Sequence, residues 1–166
     1  MDKYLLAHIR RGIGRRKRVD AWMAHMAAKG PLWLFFVMGV LVLTNGAAGL
    51  WSDVEAVVAA AATRGVNELI GRARHRDRPF VQEGFVPLIE HEPSFSFPSN
   101  HSACGFALAV AVCFANPLLG ALMLLLAAVM AYSRLYVGVH YPLDVTAGAV
   151  IGSLVAWGVH LLLKML

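Results

Sequence analysis

Residues 117–163 read PLLGALMLLLAAVMAYSRLYVGVHYPLDVTAGAVIGSLVAWGVHLLL, which is two apolar runs on either side of a short polar segment. Each run is long enough to cross about 30 Å of hydrocarbon as a helix. From His101 to the C-terminus the only charged residues are Arg134, Asp144 and Lys164. So long a stretch with so few charges predicts membrane-embedded helices, and it makes each remaining charge a candidate for function.

The composition of the whole chain agrees with this prediction. Of 166 residues, 58% are hydrophobic and 15% are charged, against about 45–50% and about 25% in soluble proteins. This excludes a disordered chain and argues against a soluble monomer, and the length allows one domain. The net charge of +5 is concentrated in two basic runs, residues 10–18 and 72–78. Beside membrane spans the first run indicates contact with anionic lipid headgroups rather than nucleic acid, and the second indicates a binding site.

The predicted fold class is all-α, a polytopic membrane helix bundle of about five transmembrane helices with an N-terminal amphipathic segment. Residues 1–30 form the basic amphipathic segment, expected on the membrane surface and interrupted at Gly12 and Gly14. Residues 31–166 form the bundle. Its spans are predicted over residues 31–50, 52–71, 101–115, 117–136 and 142–163. Five crossings put the N-terminus on the same side as the polar segments at residues 72–100 and 137–141.

Three polar clusters lie on that side, each where an apolar helix ends or begins. They are Arg76-Asp77-Arg78-Pro79, Phe97-Pro98-Ser99-Asn100-His101, and Ser133-Arg134 with the following His140 and Asp144. Helix ends on one side of a bundle can form a common pocket, so the clusters are expected to make one site.

His140 and Asp144 are four residues apart and can share a helix face. A carboxylate beside an imidazole fixes its tautomer and stabilises the charged ring, which suits a histidine nucleophile. A capping or packing pair is the structural alternative. A metal pair is the other, although no third ligand has convincing spacing.

The second cluster indicates an anion site. Ser99 or Asn100 can cap the helix that follows, and free N–H groups at a helix start bind phosphate. His101 at that position can give a proton to a leaving oxygen, or it can be a plain interfacial histidine.

Two arginines complete the predicted site. Arg78 and Arg134 could clamp phosphate oxygens from two sides, while Arg72, Arg74 and Arg76 could add positive field. Arg64 lies inside an apolar span, together with Asn67, and should face the bundle interior or a polar cavity. A structural ion pair is an equal alternative for Arg64. Two histidines, an aspartate, two arginines and a helix N-terminus together fit phosphoryl transfer through a phosphohistidine, with an amphiphilic substrate and no metal.

The three clusters make the chain resemble the type-2 phosphatidic acid phosphatase superfamily, whose motifs are Lys-x6-Arg-Pro, Pro-Ser-Gly-His and Ser-Arg-x5-His-x3-Asp. Two departures stand out: Gly71 replaces the lysine of the first motif, and Asn100 replaces the glycine of the second. Both are similar to the bacterial undecaprenyl pyrophosphate phosphatase branch, of the bacitracin-resistance type.

The resemblance implies that His140 is the nucleophile, Asp144 its partner and His101 the general acid. Phosphate would be held by Arg78, Ser99, Asn100 and Arg134, and secondary contacts are possible from Arg72, Arg74, Arg76, Asn67 and Ser133. The implied activity is metal-independent and cofactor-free hydrolysis of undecaprenyl pyrophosphate in a bacterial cell membrane, which recycles the lipid carrier of peptidoglycan synthesis.

Three matters stay open at this stage. The substrate could be another lipid phosphate, such as phosphatidylglycerol phosphate, phosphatidic acid or a lipid A phosphate. A membrane lipid-binding protein with a degenerate site is the non-enzyme alternative. The resemblance places the site on the extracytoplasmic side, whereas the basic residues of the N-terminal run favour the cytoplasm by the positive-inside rule.

Overall fold

A computed structural model describes residues 2–166, and within that range the chain is helical without a strand. Six helices follow in order: α1 Asp2–Arg10, α2 Lys17–Ala73, α3 Pro79–Glu83, α4 Asn100–Ala115, α5 Pro117–Tyr136 and α6 Pro142–Lys164. Helices α2, α5 and α6 are long and apolar enough to cross a membrane, and α4 is a shorter apolar helix. The predicted all-α membrane bundle is confirmed.

The 57-residue α2 is two spans rather than one. Gly46 has φ 56° and ψ −130°, a backbone conformation that favours glycine because it has no Cβ. A Cβ added at Gly49 would lie 2.5 Å from the carbonyl oxygen of Leu41, so the chain folds back on itself here. The two limbs, residues 17–45 and 47–73, together with α4, α5 and α6 make five helical segments, as the sequence predicts.

The N-terminal segment differs in one respect from the expectation. Residues 11–16 form a turn that contains Gly12 and Gly14, but residues 17–30 continue without a break into the first limb of α2. Residue 30 is therefore no helix boundary. The position of residues 1–30 at the membrane surface stays a prediction.

α4 lies in the middle of the bundle and packs against α2, α5 and α6. The first limb of α2 buries Leu34, Val37, Met38 and Leu41, whose spacing gives one helix face. Small residues let α6 approach α4 closely, because a Cβ at Gly148 or Gly152 would meet a backbone carbonyl of α4. Large apolar side chains cover the outside of the bundle, including Leu43, Trp51, Leu118 and Leu154, as lipid contact requires.

One end of the bundle gathers the predicted polar clusters. The end of α2, the start of α4, the end of α5 and the start of α6 lie there, beneath the connection over residues 74–99. At about 1.5 Å per residue, the 16 residues of α4 span roughly 24 Å, which is shorter than the hydrocarbon core. The site at its start can therefore lie within reach of lipid.

Candidate active site

His140 is buried in the short α5–α6 connection, two residues before α6 begins. Its Nδ1 lies 2.8 Å from the carbonyl oxygen of Ser96, which can only accept a hydrogen bond, so Nδ1 carries the proton. Its Nε2 lies 3.1 Å from Nη1 of Arg78, which can only donate. Burial, with the charges of Arg78 and Arg134 acting in the same direction, lowers the pKa of His140 to about 4. The result is a neutral imidazole with its Nε2 lone pair available.

Asp144 does not hold His140 in the way the sequence led us to expect. The distance from its Oδ2 to Nδ1 of His140 is 3.8 Å, too long for a hydrogen bond. Oδ2 instead accepts from the Ser96 hydroxyl at 2.5 Å and from the Tyr141 N–H at 2.8 Å. Oδ1 accepts from Arg76 at 2.6 Å. Asp144 thus orients His140 through Ser96, because His140 itself lies outside the helix on which Asp144 sits.

Arg78 reaches from the start of α3 to the nucleophile candidate. Its Nη1 also donates to the carbonyl of Val139 at 3.0 Å, and Nη2 donates to the Ser94 hydroxyl at 3.0 Å. Burial lowers the pKa of Arg78 to about 10, so the side chain is still charged at neutral pH, with the nearby Asp144 opposing that shift. A phosphate oxygen that enters the site can accept the hydrogen bond that Arg78 Nη1 now donates to His140.

Arg134 projects into the same site from the last turn of α5 and is 1% exposed. Only Nη1 has a partner among residues 2–166, the carbonyl of Ala27 at 2.8 Å. Its Nε and Nη2 are buried without an acceptor in that range. A buried guanidinium edge without an acceptor is costly, so its arrangement suits an anionic ligand.

The start of α4 forms the third wall. Ser99 is the N-cap, and its hydroxyl accepts from the N–H of Ser102 at 3.5 Å. Asn100 begins the helix and accepts from Asn67 Nδ2 at 2.9 Å. His101 is partly buried, and the positive charges of Arg134 and Arg78 act on it. The predicted primary site residues therefore come together, with Asn67 joined to them through Asn100.

The other secondary candidates are exposed or already paired. Arg72 is exposed and pairs with Glu68, and Arg74 is exposed at the end of α2. Arg76 is bound between Asp2 and Asp144, so its charge is already compensated. The Ser133 hydroxyl donates to the carbonyl of Met130 at 2.6 Å within its own helix. Their role in binding phosphate, which the sequence left possible, finds no support in these contacts.

Gly71, at the position of the first-motif lysine, has little room for a side chain. A Cβ at Gly71 would lie 3.1 Å from the Phe95 ring and 3.4 Å from the carbonyl oxygen of Phe97. The segment from Phe95 to Phe97 carries Ser96, whose carbonyl holds His140. The absence of a side chain at Gly71 therefore lets this segment lie against α2 and keep Ser96 in contact with the imidazole.

Sequence reasoning missed the serines and one histidine of the connection. Ser94 binds Arg78, and Ser96 binds both His140 and Asp144. Burial lowers the pKa of His91, the hydrogen bond to Glu92 opposes that shift, and the charges of Arg78 and Arg134 favour it. None of these residues belongs to one of the three sequence motifs, so no local pattern marks them as site residues. Only the course of the loop brings them to the site.

The assembled site can bind a tetrahedral anion beside a nucleophile. Arg78 and Arg134 provide N–H donors, the start of α4 provides backbone N–H groups, and His140 presents Nε2 toward them. In residues 2–166 no three side chains of His, Cys, Asp or Glu come together in a way that could hold a metal ion. The donor set is that of phosphate binding.

Two solved structures share the fold of this chain. The chain superposes on LpxE of Aquifex aeolicus with a TM-score of 0.79 and 23% identity, over 95% of this chain and 93% of that one. It superposes on the PAP2-type phosphatidylglycerolphosphate phosphatase of Bacillus subtilis with a TM-score of 0.72 and 21% identity, over 99% and 85%. At these identities the likeness establishes the fold alone, an all-helical bundle.

The family follows from sequence. Residues 53–166 match the PAP2 superfamily, and the chain belongs to it, as a membrane lipid phosphatase. Among its relatives is the Escherichia coli (strain K12) protein "Putative undecaprenyl-diphosphatase YbjG", 32% identical over 80% of this chain and 70% of that one. Another is BcrC of Bacillus licheniformis, named a bacitracin transport permease protein, 35% identical over 74% of this chain and 62% of that one.

Proposed function

We propose that the chain hydrolyses undecaprenyl diphosphate to undecaprenyl phosphate and inorganic phosphate through a phosphohistidine. The observation that carries the proposal is the neutral His140, whose Nε2 faces Arg78 beside the unpaired edge of Arg134. The Nε2 lone pair of His140, which accepts only from Arg78, thus lies beside an Arg134 edge that has no acceptor among residues 2–166.

In the proposed reaction, Nε2 of His140 attacks the terminal phosphorus while the bond to the bridging oxygen breaks. Arg78, Arg134 and the backbone N–H groups that follow Ser99 hold the oxygens, whose charge grows in the transition state. His101 gives a proton to the leaving oxygen where the leaving group needs one. Water then attacks the phosphorus, His101 takes its proton, the nitrogen–phosphorus bond breaks and phosphate leaves.

The choice of a diphosphate rests on the relatives. YbjG and a BcrC of Bacillus subtilis (strain 168) carry the name undecaprenyl-diphosphatase. Such an activity would recycle the carrier of peptidoglycan synthesis and would favour bacitracin resistance. A second candidate is a lipid A phosphate, because a lipid A 4'-phosphatase of Bacteroides thetaiotaomicron is 37% identical over 54% of this chain and 41% of its own length.

We also infer that the site faces the extracytoplasmic side, where this family usually has it. The side chains of Arg78 and Arg134 are engaged in the site and do not report topology. The run from Arg10 to Arg18 opposes this inference, and the orientation has its own test below.

The function is tested by phosphate release from purified protein in detergent with EDTA present, on undecaprenyl diphosphate, phosphatidylglycerol phosphate and a lipid A phosphate in parallel. We expect a strong preference for the diphosphate, no loss in EDTA and inhibition by vanadate. His140→Ala should abolish turnover while lipid binding survives, whereas His8→Ala, at an exposed position on α1, should not change it.

Each alternative has its own outcome. Preference for another lipid phosphate keeps the mechanism but changes the substrate. Activity that EDTA removes and a divalent ion restores would favour a metal at His140 and Asp144. Binding without turnover in the wild type would support the lipid-binding alternative with a degenerate site.

A further inference from the structure

Arg64 is a charged side chain for which the reaction as derived so far has no use. It lies on the second limb of α2, in the part of the chain that is otherwise apolar. The sequence left an ion pair as one explanation, but no acidic side chain within residues 2–166 pairs with it. A guanidinium within a membrane span is costly without an anion or water.

The side chain lines a cavity of about 210 Å³ that also touches the proposed general acid. Its polar lining residues include Arg64, Asn100 and His101, and its apolar ones include Leu34, Phe35 and Leu108. The cavity is open to the outside of the bundle, and Arg64 itself is exposed. A substrate whose reacting group lies at His101 could therefore contact the positive charge of Arg64 and apolar side chains in the same cavity.

Helix geometry places Arg64 deeper in the membrane than the rest of the site. Arg64, Asn67 and Gly71 are separated by three and four residues and so share one face of α2. Asn67 contacts Asn100 at the start of α4, and Arg64 lies one turn further from the end of α2. Its charge acts on Cys104, one turn into α4 beyond His101.

At this depth, Arg64 lies on the side of the site from which the lipid part of the substrate extends, beyond the phosphorus–oxygen bond that breaks. If His140 attacks the terminal phosphorus and His101 meets the leaving oxygen, the group next along the substrate lies toward the bilayer. In a lipid diphosphate that group is a second phosphate, which is negatively charged. In a lipid monophosphate it is the uncharged carbon chain.

We infer that Arg64 binds the lipid-linked phosphate of a polyprenyl diphosphate and so makes the site selective for diphosphates over monophosphates. The inference rests on the proposed function. When the bridging bond breaks, its electron pair and the new negative charge stay on the departing phosphate, and Arg64 stabilises that charge without a proton transfer. A phosphate has a second pKa of about 6 and is an adequate leaving group when its charge is met.

The test compares kcat/KM for farnesyl diphosphate and farnesyl monophosphate, which differ only in the lipid-linked phosphate. Arg64→Gln should lower kcat/KM for the diphosphate about 10-fold to 100-fold, as expected for a lost charge-assisted hydrogen bond. The monophosphate value should stay within about 3-fold of wild type. Arg64→Lys should restore part of the diphosphate activity, because it keeps the charge.

Two controls make the result specific. Arg18→Gln removes one exposed positive charge at the start of α2, far from the cavity, and should leave the ratio of the two substrates unchanged. Inhibition by vanadate, which occupies the terminal phosphate position, should be equal in Arg64→Gln and wild type. The monophosphate activity of the variant shows that it is folded.

The outcomes separate the two proposals. If the wild type hydrolyses the diphosphate and Arg64→Gln has wild-type kcat/KM for both substrates, the inference about Arg64 is wrong and the proposed function stands. If kcat/KM falls by the same factor for both substrates, Arg64 has a structural role and the inference is again wrong. If the wild type does not act on diphosphates, the proposed function fails and the inference fails with it.

Discussion

A backbone carbonyl, rather than a carboxylate, sets the tautomer of His140. The Ser96 oxygen accepts from Nδ1, and the buried Asp144 acts one step away by holding the Ser96 hydroxyl and the Tyr141 N–H. The Asp144 carboxylate, 3.8 Å from Nδ1, favours the protonated ring but does not outweigh burial. Burial and two guanidinium groups act together against protonation.

The pH dependence of His140 follows from this arrangement. Protonation would block Nε2, so turnover needs the neutral ring, and a pKa of about 4 keeps it neutral at any pH well above that value. We expect the His140 resonance in NMR spectra of the protein in micelles to show no titration between about pH 5.5 and pH 8, where an ordinary histidine titrates. The loss of one resonance in His140→Ala provides the assignment. A midpoint near 6.5 for His140 would contradict the buried, neutral nucleophile.

Restoring the missing lysine tests the role of Gly71. Gly71→Lys should lower kcat rather than raise it, because even the Cβ lies 3.1 Å from Phe95 and the segment that moves carries Ser96. The expected loss is about 10-fold, measured as phosphate release. Gly71→Ala and Gly65→Ala form the matched pair for the space itself, because nothing lies within 4 Å of a Cβ added at Gly65. A more active Gly71→Lys would show that the space for a lysine exists.

At the level of helices, the site depends on the contact between α4 and α6. α4 carries Ser99 and His101, α6 carries Asp144, and the Ser99 N–H donates to the carbonyl of Asp144 at 3.0 Å. Ser102 adds a hydrogen bond to the carbonyl of Val145 at 2.7 Å. These bonds form only because Gly148 and Gly152 allow the two backbones to touch.

Gly152→Ala should therefore disrupt both packing and catalysis. The added Cβ would fall on the carbonyl oxygen of Ala103, so the helices must separate. We expect a loss of stability of about 1–3 kcal/mol and a fall in kcat/KM, measured by thermal unfolding in detergent and by phosphate release. Gly158→Ala on the same helix meets nothing within 4 Å and should be neutral or slightly stabilising. Equal effects of the two changes would show that the α4–α6 contact is not limiting.

For the whole molecule, the open question is which side of the membrane holds the site. Five helical segments put Leu166 on the side opposite to the catalytic end. Nearly all Lys and Arg residues lie at or before Arg134, and only Lys164 follows. The N-terminal run is also drawn toward the protein, since Arg10 stacks 3.3 Å above the Phe85 ring, which weakens its value as a topology signal.

A reporter at the C-terminus decides the orientation. If the site is extracytoplasmic, green fluorescent protein fused after Leu166 should fluoresce and alkaline phosphatase fused there should be inactive. The same two reporters fused before α1 should give the opposite pattern. Fluorescence at the N-terminus alone would place the site in the cytoplasm, as the positive-inside rule indicates.

The sequence alone determined the helical bundle, the side on which the polar clusters meet, and the helix starts at Pro117 and Pro142. These features follow from local rules, namely apolar length, proline at the first helical position and polar residues at helix ends. Only the tertiary structure decided which atoms meet. It made the Ser96 carbonyl the acceptor for His140, with Asp144 3.8 Å from the ring, and it assigned Arg76 to two carboxylates. It also showed little room beside Gly71 and placed Arg64 in one cavity with His101. Such contacts join residues far apart in the chain through an irregular loop and close helix packing, and neither leaves a periodic signal in the sequence.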